Sequence, residues 1–386
     1  MLRYVTAGES HGKQLTIIIE GIPAGLKLRE EDVNVDLARR QGGHGRGVRM
    51  KIEKDRVEFM SGVRAGETIG SPVCMVIRNA DWDNWKSFMA PEPGQLDPEK
   101  FHVRARPGHA DLPGALKFDR KDMRDILERA SARETAGRVA AGAVCKKLLA
   151  EFGVSVHSYT KSIGSIQVDT KKLPWEKIIA LAEKSPVRSP DAEAEKKIIE
   201  AITKAGENGD TVGGVFTVIA KGVPPGLGSH AQWDEKLDGA IARSLLSIQA
   251  IKGVEFGIGF EFGALPGSAV HDELFYDKTK GFWRKTNNAG GIEGGMSNGE
   301  DIVVSCVMKP IPSLKKPLAS VNVRTKEAEL AEAVRSDVCA VPAAGVIGEA
   351  AMVFEVARAM KEKFGGDSLG EMKRNYSAYI EQVKEY

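Results

Sequence analysis

VEFMSGVRAGETIGS, residues 57–71, returns without a gap as VEFGIGFEFGALPGS at residues 254–268, with seven of the fifteen positions identical. A second pair lies upstream of each. LTIIIEGIPAGL (15–26) and VFTVIAKGVPPGL (215–227) are β-branched runs closed by Gly-Ile-Pro-x-Gly-Leu or its Val variant, a strand running into a turn. A helical segment follows both, Glu30–Arg40 in one case and Asp234–Ile251 in the other. Agreement at two places in the same order indicates an internal duplication of roughly two hundred residues. Two copies are too few for a solenoid. They predict one pseudo-symmetric unit over 1–386, with halves at about 1–152 and 210–366 and a lysine-rich helical insert at about 171–207. Each half should end in a long helix rich in small residues, Asp122–Phe152 and Ala343–Phe364. The tail 367–386 reads as a charged helix without chemistry.

Composition sets the outer bounds. The 386 residues are 42% hydrophobic and 28% charged with a net charge of +2, an ordinary soluble balance with no global pull toward nucleic acid or membrane. No apolar run reaches the ~18 residues of a bilayer span, and the N-terminus shows no signal-peptide core. Cys74, Cys145, Cys306 and Cys339 form no Cys-x-x-Cys pair, so neither disulfides nor a metal site is expected, and a cytoplasmic location fits best.

Chemistry concentrates beside clustered glycines, where backbone can approach a ligand. In Arg104-Ala-Arg-Pro-Gly-His-Ala-Asp111, two guanidiniums, an imidazole and a carboxylate crowd a Pro-Gly turn. Gly8-Glu-Ser-His-Gly12 presents His11 between glycines; adjacent Ser and His seldom face each other, so an acid facing a ligand suits His11 better than the base of a nucleophile. Arg39-Arg40-Gln41 and Gly45-Arg46-Gly47-Val48-Arg49 form a basic loop lacking the interleaved aromatics of an RNA-binding segment. Arg129 and Arg133 fall four apart, on one face of the expected helix. The Gly-rich stretch 290–299 has neither Walker nor dinucleotide spacing, and Lys309-Pro-Ile-Pro-Ser313 adds a cation and a hydroxyl after the next strand. Arg335-Ser336-Asp337 stands in its half where Arg129-Ala130-Ser131 stands in the first. Together these point to an enzyme acting on a small polyanionic substrate, with a phosphorylated cofactor compatible. A flavin oxidoreductase and an RNA-binding protein using loop 39–49 are the alternatives.

GESHG (8–12), RRQ with GRG and Arg49 (39–49), RPGHAD (106–111), RASARETAGRVAAGAV (129–144), GGIEGGMSNGEDI (290–302), KPIPSL (309–314) and RSDVCAVPAAGVIGEA (335–350) occur in the order seen in chorismate synthases, and the chain resembles that family over nearly its whole length. The resemblance implies an α+β fold, a layered sandwich of antiparallel β-sheets around a central helical core, which the duplication supports. It implies anti-1,4-elimination of phosphate from 5-enolpyruvylshikimate 3-phosphate, giving chorismate with reduced FMN as cofactor, in a cytoplasmic homotetramer. It also implies roles. His11 would protonate the departing phosphate, His109 would sit by the reduced flavin, and Asp337 would be the base behind the flavin N5. Arg40, Arg46, Arg49, Arg106, Arg133 and Arg335 would clamp the substrate's anions. FMN would be held by Arg129, Ala130, Ser131, Gln249, Ala250, Gly294, Lys309, Pro310, Ile311, Pro312, Ser313 and Arg335. Some members reduce FMN themselves with NADPH; no added domain here signals it, so the type without reductase activity is expected.

Overall fold

A computed structural model describes residues 1–386 apart from Val48, Gln95, Leu96, Lys172, Lys280 and Ala333–Arg335; of Arg49 and Lys51 it describes the backbone alone. Two antiparallel sheets enclose a layer of helices. The first contains β1 (Arg3–Ala7), β2 (Gln14–Glu20), β3 (Val57–Ser61) and β4 (Val73–Arg78), ordered β1-β2-β4-β3. The second contains β5 (Ser155–Ile163), β6 (Gly214–Lys221), β7 (Ile251–Phe256) and β8 (Ile302–Met308), ordered β7-β8-β6-β5, with the short strand Ile166–Gln167 beyond β5. Both sheets therefore place their first, second, fourth and third strands side by side.

The registers agree as well. Val57 opposes Ile77, which opposes Leu15; in the second sheet Val254 opposes Cys306, which opposes Phe216. The repeated Val-Glu-Phe thus occupies the same rungs in both copies, and the two Gly-x-Pro turns leave equivalent strands. β5 stands in the second sheet where β1 stands in the first, and the helical stretch 171–207 lies between β5 and β6.

The helices of seven residues or more are α1 (Glu30–Gln41), α2 (Trp82–Met89), α3 (Asp111–Phe118), α4 (Arg124–Ala130), α5 (Thr135–Ala150), α6 (Trp175–Lys184), α7 (Ala192–Glu207), α8 (Leu237–Leu246), α9 (Val341–Phe364) and α10 (Leu369–Glu385). Leu15, Ile17 and Ile19 alternate inward from β2 onto α5, while α9 packs against β5 and β6 of the other sheet. Small residues let the central helices touch. A Cβ at Gly142 of α5 would stand 2.6 Å from Ala350 Cα of α9, and one at Gly348 would stand 2.7 Å from the Phe216 ring. Both lie well inside van der Waals contact.

One expectation is corrected. The helical signal from Asp122 to Phe152 is two helices, α4 and α5, separated by extended backbone at Ser131 (ψ 143°) and a tight turn over Ala132–Glu134. The Ser131 hydroxyl accepts from Arg133 N at 3.3 Å, a capping bond that serine makes more readily than it continues a helix. Arg129 and Arg133 therefore belong to different elements and share no face. Similarly, α8 ends at Leu246, and the chain turns at Ala250 with φ +67°. Among the described residues no helix is long and apolar enough to cross a membrane.

Candidate functional site

The two copies meet through equivalent connections. In the first, the chain between β4 and α5 (79–134) carries the Arg-Pro-Gly-His turn; in the second, the chain between β8 and α9 (309–340) carries the Lys-Pro-Ile-Pro-Ser segment and Asp337. They are joined backbone to backbone, with Val323 N donating to Val103 O at 2.9 Å. Side chains extend the seam: Ser320 Oγ donates to Ala105 O, and Lys309 Nζ to Gly108 O at 2.5 Å. Arg106 Nη1 reaches Ser313 Oγ at 3.0 Å, and Ser336 Oγ reaches Ser313 O at 2.6 Å. Gly108 turns at φ +80° with Pro312 and Lys309 against it, so a side chain there would be strained in backbone.

Asp111, with no exposed surface, anchors this turn. It accepts from Arg106 N at 3.1 Å, Arg106 Nε at 2.8 Å, Arg106 Nη2 at 2.9 Å and His109 Nδ1 at 2.6 Å. Burial alone would raise its pKa, but the His102 ring beside it and the hydrogen bonds from His109 and Arg106 overcome that and hold it well below the carboxylate range. Behind it His102 lies 3.6 Å from Asp111 and 2.8 Å from Glu332. Burial opposes the charge on His102, yet the carboxylates of Asp111 and Glu332 beside it push its pKa up to about 9. Glu332 falls to about 2, first through the His102 hydrogen bond.

His11 enters from the short β1–β2 connection. Its Nδ1 lies 2.9 Å from Glu128 Oε1, Ser10 N donates to Glu128 O at 3.0 Å, and the Trp85 ring stacks on the imidazole at 4.0 Å. Asn79 ties this loop to the interior. Its Nδ2 donates to Gly12 O at 2.7 Å, and its Oδ1 accepts from Arg133 Nε at 3.0 Å. Arg129 spends its fork on the same loop, donating to Gly8 O and Thr6 O, each at 2.9 Å.

The arginines expected to grip anions have partners of their own. Arg133 pairs with Asp55 and lies 3.6 Å from Glu53. Arg40 donates to Thr135 Oγ1 at 2.9 Å and Ala132 O at 2.8 Å and lies 3.4 Å from the same Asp55. Burial pulls the Arg40 pKa down to about 10. Its neighbour Arg39, about 100° round α1, pairs with the buried Glu349 at 2.7 Å in the helical layer. Arg46 lies 3.4 Å from Asp337, whose Oδ1 also accepts from Gly47 N at 2.6 Å. Arg335 and the Arg49 side chain lie outside the described residues.

Of the remaining candidates, Ser131 meets Ser10 at 3.1 Å, Gln249 Nε2 donates to Glu134 at 3.2 Å, and Lys309 N donates to Ala250 O at 3.0 Å. Gly294 stands apart, at the start of α8, where Lys236 Nζ donates to its carbonyl at 3.1 Å; Gln249 lies beyond the opposite end of that helix. Among the described residues no His, Cys, Asp or Glu group is arranged to hold a metal ion. The site thus offers two imidazoles backed by carboxylates, a carboxylate at Asp337 and a wall of fixed guanidiniums, a set suited to proton transfer on an anionic ligand. Sequence reading missed Glu128, Asp55, Asn79 and His102. Asp111 stands within the quoted RPGHAD and Glu128 directly before Arg129, but partners 117 residues apart, as Glu128 and His11 are, leave no mark in local spacing.

Three comparisons bear on this geometry. A sequence model of the family described as chorismate synthase matches residues 2–360. The chain is similar to the chorismate synthase of Geobacter sulfurreducens, 58% identical with all of both chains covered, and to that of Endomicrobium trichonymphae, 59% identical with the same coverage. A crystal structure titled as chorismate synthase superposes with a TM-score of 0.81 at 44% identity, covering 100% of this chain and 99% of the other.

Proposed function

This chain belongs to the chorismate synthase family, and on that premise we propose how its residues share the work of the reaction. It is a carbon–oxygen lyase that eliminates phosphate from 5-enolpyruvylshikimate 3-phosphate by an anti-1,4 route, giving chorismate at the end of the shikimate pathway. The assignment of reduced FMN to this chain is part of the proposal. One feature fits a flavin: Gln249 Oε1 is buried without a hydrogen-bond partner among the described residues. The residues that would hold it are Arg129, Ala130, Ser131, Gln249, Ala250, Gly294, the Lys309–Ser313 segment and Arg335. Bound there, reduced FMN would supply the electron density that the allylic elimination calls for, with no net redox change.

The protein's own groups manage protons and charge. His11 gives a proton to the departing phosphate, Asp337 is the base on the side where the ring proton leaves, and His109 stands by the cofactor. Arg40, Arg106 and Arg133, each held by a buried carboxylate, contribute field and rigidity, while Arg46, Arg49 and Arg335 grip the substrate's carboxylates and phosphate. The observation that supports this most is the seam of Arg106, Ser313 and Ser336, which joins the equivalent connections of the two copies and so brings His109 and Asp337 to one region. We extend the proposal to a homotetramer working in the cytoplasm as one unit per chain. Exposed Val5, Ile18 and Met60 on the first sheet and four free cysteines support it.

The test is an anaerobic assay with dithionite-reduced FMN, in which chorismate and phosphate should form in equal amounts, and none without reductant. Absence of product under the reducing conditions refutes the reading; sedimentation at a monomer's mass refutes the tetramer.

A further inference from the structure

The two histidines of the site are mounted alike. His11 Nδ1 lies 2.9 Å and 3.0 Å from the two oxygens of Glu128, and His109 Nδ1 lies 2.6 Å from Asp111 Oδ1. Both carboxylates are buried, with side-chain exposures of 1% and 0%, whereas both imidazoles keep an edge toward solvent at 21% and 16%. We propose that Glu128 and Asp111 are paired positioning residues, each accepting the Nδ1 proton of one histidine and thereby presenting Nε2 to the ligand.

Geometry fixes the tautomer. Two lone pairs cannot face each other at 2.6 Å, so the Nδ1 of His109 must carry hydrogen. Arg106 Nη2, 3.0 Å from that nitrogen and 3.4 Å from Nε2, then lies across the ring and directs its own hydrogen to Asp111 Oδ1 at 2.9 Å. At the other pair, Glu128 Oε2 also accepts from His11 N at 2.8 Å, and Arg124 stands 3.7 Å from Oε1. A carboxylate receiving the backbone N–H on one oxygen, with a guanidinium beside it, is an acceptor for the ring as well. Trp85 stacks on the His11 ring, and its own Nε1 donates to Asp81 Oδ2 at 2.9 Å, which removes the remaining freedom of rotation. A histidine so held has one nitrogen committed to orientation and the other available for proton transfer.

The inference rests on the reading of His11 and His109 as site residues, and its test separates the two. The chain has seven histidines, so a nitrogen–proton correlation spectrum of full-length protein labelled with nitrogen-15 at histidine is sparse, and His11→Ala and His109→Ala assign the two signals. Both should show hydrogen on Nδ1 and, when neutral, none on Nε2. Glu128→Gln should turn His11 to the Nε2–H form, because the amide can offer its NH2 to Nδ1 while its oxygen keeps the backbone bond. Turnover should drop by about 10²–10⁴-fold with KM little changed, the pattern of a wrong tautomer in intact geometry. Glu128→Asp should retain the tautomer and recover part of the rate. An Nε2–H tautomer at either histidine of the unsubstituted protein overturns the proposal without any variant, and so does a Glu128→Gln protein that keeps His11 protonated on Nδ1 or turns over within about threefold of normal. Full activity in His11→Ala would sink instead its role as the acid and leave the tautomer result standing.

Discussion

Asp55→Asn removes the negative charge that two buried guanidiniums share. Asp55, Arg40 and Arg133 have side-chain exposures of 0%, 4% and 3%, and Glu53, at 1%, is the other carboxylate in the cluster. Among the described residues the cluster brings two cations against two anions, and the substitution removes one of those negative charges. Arg133 loses the carboxylate it bonds directly, and Arg40, whose pKa burial already lowers to about 10, loses the attraction that chiefly opposes that burial. Breaking one partner out of a buried pair typically costs about 3–5 kcal/mol. An unfolding entropy of about 0.8 kcal/mol/K for a chain this long converts that to a fall in Tm of about 4–6 °C. The assay is a calorimetric or fluorescence melt beside Glu58→Gln, which breaks the exposed pair with Arg78 and should leave Tm unmoved. Arg133→Met should also lower Tm, by leaving Asp55 with one partner. If Asp55→Asn melts within about 1 °C of the parent, the cluster is not a structural element. If Arg133→Met raises KM at an unchanged Tm, Arg133 grips substrate after all.

Three more expectations follow from particular contacts. Gly142→Ala should destabilise the protein by about 1–3 kcal/mol, because its Cβ would meet Ala350, although helix propensity alone favours alanine; a raised Tm would show that α5 and α9 can part freely. The pKa of His102 is raised from 6.5 to about 9, burial opposing and Asp111 and Glu332 prevailing, so its stabilisation is complete below about pH 6.5 and is lost as pH climbs through 9. Melts of the parent and His102→Gln should therefore converge between those values, and parallel profiles would reject the linkage. His109→Ala and Asp337→Asn should each slow turnover by about 10²-fold in the anaerobic assay, and near-parental rates would remove them from the mechanism.

The fold was legible because duplication writes itself in sequence: Val57-Glu58-Phe59 and Val254-Glu255-Phe256 match in letters and in register. The β-branched run marked β2 as a strand, but its letters do not show which face is buried: Ile17 and Ile19 are buried while Ile18 between them is exposed. The break at Ser131 was hidden, since the alanine-rich residues on either side favour helix, and only the docking of α4 against loop 8–12 requires the chain to turn there. The motifs located the site, but not which arginines would be committed to the interior. Arg40 and Arg133 look no different in sequence from Arg46, and their shared carboxylate, Asp55, belongs to no Gly-rich motif. A charge's partner across 78 residues, as for Arg133 and Asp55, is a property of the folded chain.

The duplication also shows where chemistry could diverge. The frame of strands and central helices is shared, while the connections differ. Between β1 and β2 the chain takes a short turn that carries His11; between β5 and β6 the equivalent connection holds α6 and α7 and the rest of the helical insert. Four residues before the central helix stands Ser131 in one copy and Asp337 in the other. Ser131 uses the place locally, capping Arg133 N and meeting Ser10. Asp337 uses it across the molecule, taking Gly47 N and Arg46 from the first copy's basic loop. One position thus fastens its own half in the first copy and reaches into the opposite half in the second. Both imidazoles with their carboxylates therefore belong to the first copy, while the carboxylate of Asp337 is brought to the first copy's basic loop by the second.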